Sequence, residues 1–207
     1  MAQRQAALDG ADRFLFLGNH IALDFVNTRP VLDGETTELI PDFHALLRWF
    51  QAAQLISQRD VTRLRRRWAG SARAQRTTEA MRELREKLRK EILAWEHGGA
   101  VRRSTVTELN RLMADHPMLT RLSASRSASA TELWFEPSSP EDLFAPLAYS
   151  TAALLANADR SRVRKCANCV GHFYDTSKKG TRRWCSMKLC GNRFKVAAYA
   201  DRQRTLT

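Results

Sequence analysis

Cysteine occurs four times in 207 residues, and all four lie between positions 166 and 190. Their spacing, Cys166-x2-Cys169-x15-Cys185-x4-Cys190, is that of two short pairs joined by a loop. A short pair turns both sulfurs to one side of the backbone, and a loop of this length carries the second pair back to the first. That pattern suits one tetrahedral Zn2+. Four thiolates leave no coordination position open, so the metal has a structural role. Other uses of the four cysteines fit less well. Disulfides need an oxidising compartment, and the start MAQRQAALDGADRF lacks the basic and apolar regions of a secretory signal. A redox Cys-x-x-Cys usually accompanies a βαβ pattern, which is missing. An iron–sulfur cluster also takes four thiolates, but the surrounding hairpin and helix pattern favours zinc. His172 stands three residues past Cys169 and could replace a thiolate, although four cysteines already complete the set.

The residues between the cysteines predict the elements that hold them. Cys166-Ala-Asn-Cys169 makes a knuckle, Gly171 to Thr176 a strand, Ser177-Lys-Lys-Gly180 a turn, and Thr181 to Cys185 the return strand, with Trp184 packed over the metal. A helix from about Met187 has Cys190 in its first turn, where the positive end of the helix dipole stabilises a thiolate. Knuckle, hairpin and helix together form a treble-clef-like finger. At 100° per residue, Cys190, Phe194, Ala197 and Ala198 share one side of the helix. Lys188, Asn192, Lys195, Tyr199 and Arg202 share the other.

This segment also holds the charge. Residues 161–207 contain Arg162, Arg164, Lys165, Lys178, Lys179, Arg182, Arg183, Lys188, Arg193, Lys195, Arg202 and Arg204 against Asp175 and Asp201, so they carry +10 of the chain's +12. A compact patch of that sign suits a nucleic acid. A solubilising tail is the alternative, but disordered tails seldom carry aromatics such as Phe173, Tyr174, Trp184, Phe194 and Tyr199. The candidate contacts are Lys178, Lys179, Arg182 and Arg183 on the hairpin, with Lys188, Asn192, Arg193, Lys195, Tyr199 and Arg202 on the helix. Arg193 has two readings, as a brace for the second knuckle or as a base contact.

The first 160 residues must position this finger. Residues 1–12 are expected to be a flexible arm, 13–158 a helical domain, and 159–207 the finger. A short strand or turn around Phe14–Gly18 precedes a helix from about Ile21 to Thr28. Pro41-Asp42 opens a helix with Phe43, Leu46, Leu47 and Phe50 on one face. Ser57-Gln-Arg-Asp60 is a capping box ahead of Val61, Leu64 and Trp68. Met81, Leu84, Leu88, Ile92 and Trp95 mark a helix over about 77–97, ended by Gly98-Gly99. Thr105-Val-Thr-Glu108 is a second capping box, before a helix that Pro117 closes. Alternation over 118–136 predicts a β-hairpin with a serine-rich turn. Ser139-Pro140-Glu141-Asp142 announces a helix to about Asn157, kinked at Pro146. The fold class is therefore mainly α with a small β-hairpin, α+β in all.

Asp24, Asn27 and Thr28 cluster in an apolar motif. They either cap helices and satisfy buried backbone or line a small-molecule pocket. The sequence has no P-loop, no Rossmann glycine pattern, no Gly-x-Ser-x-Gly elbow and no nucleophile–base pairing, so no enzyme is expected. No run approaches the roughly 18 apolar residues of a membrane span, and a cytoplasmic protein with no membrane partner is expected.

The run RKCANCVGHFYDTSKKGTRRWCSMKLCGNRFKVAAY, residues 164–199, resembles the CGNR zinc finger, named for the quartet found here at Cys190-Gly191-Asn192-Arg193. The match extends to Phe173-Tyr174-Asp175 and Arg183-Trp184-Cys185-Ser186-Met187. The Cys-x-x-Cys knuckle is shorter than a Cys-x-x-x-Cys-like form common in that family, which changes loop length and keeps the ligand count. Upstream, Ala22-Leu23-Asp24-Phe25-Val26-Asn27-Thr28 and the helix around Leu46 to Leu55 resemble the ABATE domain, a family of proposed stress-induced transcription regulators. The resemblance implies a bacterial regulator with a zinc-dependent module that binds DNA in preference to RNA. It joins that module to a helical regulatory domain. Sensing of a small-molecule effector and assembly are the two roles considered for that domain, and a homodimer is considered because one finger offers little specificity and paired half-sites add to it.

Overall fold

The computed structural model describes residues 14–32, 35–124, 129–169 and 171–205. Of Leu32, Ala197, Ala198, Ala200, Asp201, Arg202 and Thr205 it describes the backbone only. The expected flexible arm, 1–12, lies outside the described residues. In chain order the elements are α1 (Ile21–Val26), β1 (Val31–Leu32), β2 (Glu35–Thr36), α2 (Phe43–Ala52), α3 (Gln58–Trp68), α4 (Ala72–Glu96) and α5 (Arg103–Asp115). The strands β3 (Leu119–Ala124) and β4 (Ser129–Trp134) lead into α6 (Phe144–Asn157), β5 (Val163–Lys165), β6 (His172–Tyr174) and α7 (Asn192–Thr205). Helix therefore dominates, with strands confined among the described residues to antiparallel pairs. The chain forms two compact units. One is Ile40–Asn157, and the other joins Met1–Leu39 to Ala158–Thr207.

In the first unit the apolar stripes become the core. Leu46, Leu47, Trp49 and Phe50 of α2, Leu64 of α3, and Met81, Leu88 and Ile92 of α4 are essentially inaccessible. Asp42 caps α2 through the Ala45 N–H, and the Ser57–Asp60 capping box starts α3 as its sequence predicts. Helix α4 begins five residues earlier than its apolar spacing indicates. Ser71 caps it through Ala74, and the hydroxyls of Thr77 and Thr78 bond back to the Arg73 and Ala74 carbonyls, so two β-branched residues fit. Gly98, at φ +95°, closes the helix in the left-handed region.

Two local expectations are corrected. Thr105 starts no capping box, because α5 already begins at Arg103 and Thr105 Oγ1 donates to Glu91 Oε2 at 2.8 Å. Buried Glu91 of α4 also accepts from Arg102 N at 2.8 Å and Nε at 2.7 Å, so a neighbouring helix supplies the cap. Pro146 sits in the first turn of α6, because a 3-10 turn over Pro140–Leu143 takes up the first residues. A proline's missing N–H costs little there, and the anticipated reason for a kink disappears. The β3–β4 hairpin pairs Leu119 with Trp134 through Ala124 with Ser129 as expected. Its serine-rich turn lies outside the described residues.

In the second unit, Phe14–Gly18 form no strand but an irregular segment that bends at 18–20, and Gly18 N–H donates to Asp24 Oδ1 at 2.7 Å, folding that segment back on α1. A Cβ on Gly18 would stand 2.8 Å from both Leu23 Cβ and Asp24 N, so the approach requires glycine. The largest difference from expectation concerns the finger. Strand β6 pairs with β5, Val163 opposite Tyr174 and Lys165 opposite His172. Residues 181–185 form no strand. The knuckle itself is the turn of the β5–β6 hairpin, closed by Cys166 N–H on Gly171 O at 2.8 Å. Residues 181–185 are held by other groups: Ala167 N–H donates to Arg183 O at 3.0 Å, and Arg182 N–H to Asp175 Oδ2 at 2.8 Å.

Candidate metal centre and cationic face

The four sulfurs lie within 4.8 Å of one another, and Cys185 Sγ is 3.6 Å from both Cys169 Sγ and Cys190 Sγ. Metal–sulfur bonds of about 2.3 Å in a tetrahedron set sulfurs about 3.8 Å apart, so the cluster has the dimensions of a four-thiolate zinc site. Its chemistry agrees. Hydrogen bonds from the Cys169 and Cys185 thiols, together with backbone N–H groups of the same residues, hold Cys166 far below the ordinary thiol range. By donating to Cys166, and with burial added, Cys169 is pushed up to about 12, and Cys185 is pushed higher still. Cys166 is thus favoured as a thiolate beside Cys169 and Cys185, which hold their protons. A dication that displaces those protons resolves the crowding. The four cysteines thus form the site of one structural zinc.

Fully buried Phe173 closes one side of the cluster, with Leu17 and Trp184 against it. His172 is buried but is no member of the sulfur cluster. The second knuckle ends in a wide turn over Met187–Gly191, in which Cys190 and Gly191 both donate to Ser186 O at 3.0 Å. Met187 folds its thioether over Gly191, where a Cβ would collide with the sulfur. This wide turn advances less than 100° per residue, so counting on from Cys190 at helical spacing misplaces Phe194. Phe194 is 43% exposed and packs on Trp184, 5.7 Å between centroids, instead of being buried beside the metal.

The unit is completed from the other end of the chain. Asn27 Nδ2 donates to His172 O at 2.7 Å, and His172 N–H donates to Asn27 Oδ1 at 2.8 Å. Two residues on, Tyr174 N–H donates to Gly18 O at 2.7 Å while Asn19 Nδ2 donates to Tyr174 O at 2.9 Å. The outward edge of β6 is thereby paired as if residues 18–27 were a third strand. Thr28 Oγ1 donates to Phe25 O at 2.7 Å. Asp24, Asn27 and Thr28 are thus each engaged with backbone, the structural use weighed against a ligand pocket.

Two arginines of the basic segment are also braces. Arg162 Nη1 reaches Asp175 O at 3.0 Å and Ser177 O at 2.8 Å. Arg182, half-buried, stacks over the Phe173 ring at 5.2 Å and donates to Cys185 O. Asp175, fully buried, accepts from Ser177 N at 2.9 Å as well as from Arg182 N. Burial pushes its carboxyl up, but the backbone N–H groups of Arg182 and Ser177 outweigh that and leave it below its ordinary value. Sequence reasoning assigned no role to Asp175 or Arg162. The signal available was an aspartate two residues before Ser177 in a turn that ends at Gly180, which adopts φ +61°.

What remains outward is cationic. Lys178, Lys179, Lys188, Arg193 and Lys195 are exposed and make no ion pair or hydrogen bond among the described residues. Arg183 is exposed with its guanidinium over Trp184 and Phe194, at 5.2 and 5.8 Å. Asn192 is exposed, as is Tyr199 at 60%, and the Arg202 side chain lies outside the described residues.

Residues 162–203 match the CGNR zinc finger family. Residues 19–158 match the ABATE family, whose description is "Putative stress-induced transcription regulator". No curated protein gives a significant match to the chain.

Proposed function

Since the chain belongs to the ABATE family and carries a CGNR zinc finger, we propose that it is a transcription regulator that binds duplex DNA through the finger. The observation that carries this reading is the outward face of the finger. Lys178, Lys179, Lys188, Arg193 and Lys195 stand exposed, while Asp175, one of the two acids in residues 161–207, is buried and bound by its own loop. Phosphates would pair with these cations in a salt-dependent way, and Arg193 and Asn192, both exposed, would be available to base edges. An unpaired, exposed Arg193 supports contact over bracing.

The zinc holds the knuckles and takes no part in a reaction, so the role proposed is not catalytic. RNA is the alternative reading: of the aromatics that could stack on bases, Phe173 is buried against the sulfurs and Tyr174 is half-buried, which leaves exposed Tyr199. A sensor using Asp24, Asn27 and Thr28 is weaker too, since their side chains hold backbone. No helix among the described residues is long and apolar enough to cross a membrane, in keeping with work on DNA in the cytoplasm. The test compares zinc-loaded and chelator-treated protein on duplex DNA, structured RNA and single strands at one salt concentration. Tightest binding of zinc-loaded protein to duplex DNA is expected. Equal binding by the stripped protein, or preference for RNA, would overturn the reading.

A further inference from the structure

The finger is not the basic surface of the whole molecule. Helix α3, on the other compact unit, carries Arg59, Arg63, Arg65, Arg66 and Arg67 against Asp60. Its buried side is Val61 and Leu64, with half-buried Trp68 along the same stripe. At 100° per residue the direction opposite that stripe falls on Arg59 and Arg66, flanked by Thr62 and Arg63. These residues and Gln58 line an open depression of about 590 Å³ on the outer face of the helix.

The charges on this face divide into two kinds. Asp60 is held by the Ser57 cap and by Arg63 at 2.8 Å, so the helix's own acid and one arginine neutralise each other. Arg67 lies over the Trp68 ring at 5.1 Å. The side chains of Arg59, Arg65 and Arg66 make no ion pair or hydrogen bond among the described residues, and all three residues are exposed. Arg59 and Arg66 stand seven residues, two helical turns, apart on the same outward line, each with its charge uncompensated.

The helix is also rigidly presented. Ala53 N–H donates to Trp49 O at 2.8 Å and Leu55 N–H to Phe50 O at 3.0 Å, with Gln54 turned into the left-handed region at φ +60°. The capping box at Ser57 then starts α3 at Gln58, six residues after α2 ends at Ala52. A fixed, amphipathic helix that offers guanidinium forks along its outer side is suited to a row of phosphates, while Thr62 Oγ1 donates to Gln58 O at 3.0 Å and stays within the helix's own bonding.

We propose that the outer face of α3, centred on Arg59 and Arg66, is a second duplex-DNA contact, on the ABATE unit and separate from the finger. It goes beyond the finger reading and answers a need that reading leaves open, since a single small finger gives little affinity or specificity. Two tethered contacts on one chain multiply their effect.

The test uses the full zinc-loaded chain in three forms: wild type, R59Q/R66Q on α3, and K188Q/K195Q on the finger. All four positions are exposed, and glutamine preserves helix propensity, so folding and zinc content serve as controls that should not change. Affinity for a 20-base-pair duplex is measured from 50 to 200 mM salt. Each lost phosphate contact reduces the slope of log affinity against log salt by about 0.9, so R59Q/R66Q should flatten it by about 1.8. Over that fourfold salt range the wild type should lose about tenfold more affinity than the variant. An unchanged slope with R59Q/R66Q, while K188Q/K195Q flattens it, overturns the α3 contact and leaves the finger reading standing. The reverse pattern keeps α3 and removes the finger. Wild type that does not bind the duplex removes both, and R59Q/R66Q-sensitive binding to anionic vesicles or acidic polypeptide in its place assigns the face to another partner.

Discussion

Replacing Asn27 with alanine tests whether the N-terminal helix is a working part of the zinc finger. The amide exchanges two hydrogen bonds with the His172 backbone, at 2.7 and 2.8 Å, and His172 is 3% exposed. Without it, one buried N–H and one buried C=O lose these partners, at about 1–3 kcal/mol each. Asn27 is only half-buried, so water can reach the gap, and the lower end, about 2–3 kcal/mol in total, is expected. His172 lies three residues from Cys169 on the hairpin that zinc orders, so the same free energy should appear in metal binding. Zinc affinity, read by competition with a chromogenic chelator, should fall about 30- to 150-fold. Asn27→Asp is the isosteric control. It keeps an acceptor for the His172 N–H but sets a carboxylate oxygen against the His172 carbonyl, and should bind zinc no better than the alanine variant. A zinc affinity within threefold of wild type in both variants would refute the coupling.

Three further outcomes follow from the geometry. Zinc must displace the protons that Cys169 and Cys185 retain, so its apparent affinity should rise at least about a hundredfold per pH unit near neutrality, and a flat profile from pH 6 to 8 would contradict their displacement. The Asp175 carboxyl is held below its ordinary value, so its contribution is full above about pH 4 and lost as pH falls through the folded value. Asp175→Asn should therefore cost about 1–3 kcal/mol in urea unfolding at pH 7, by facing an NH2 toward one of two backbone N–H groups, with a smaller difference in acid. Gly18→Ala should cost about 1–3 kcal/mol, because the new methyl meets Leu23 Cβ and Asp24 N at 2.8 Å, and an unchanged melting temperature would count against that tight approach.

The ligands were legible in the sequence because a four-thiolate site is written in short spacings, and the helical class was legible in apolar stripes that repeat every three or four residues. Strand pairing was not. Residues 181–185 alternate as plausibly as Val163-Arg164-Lys165, and the choice rests on Arg182 and Arg183 being held elsewhere by Asp175 and Ala167. The start of α5 depended on Glu91, a residue of another helix whose carboxylate no local pattern connects to Arg102. Arg182 was counted among contact residues on charge, while the structure seats its guanidinium over a phenyl ring. The tie from Asn27 to His172 spans 145 positions and leaves no local trace.

That separation has a meaning in time. A ribosome adding about 5–20 residues per second needs about 7–29 s to reach His172 after Asn27 has been made. For that interval α1 exists without the strand edge to which Asn27 ties it. Docking of α1 is thus tied to the later-made knuckles and to the supply of metal at that moment. A cell short of zinc would accumulate chains with α1 undocked and open to proteases.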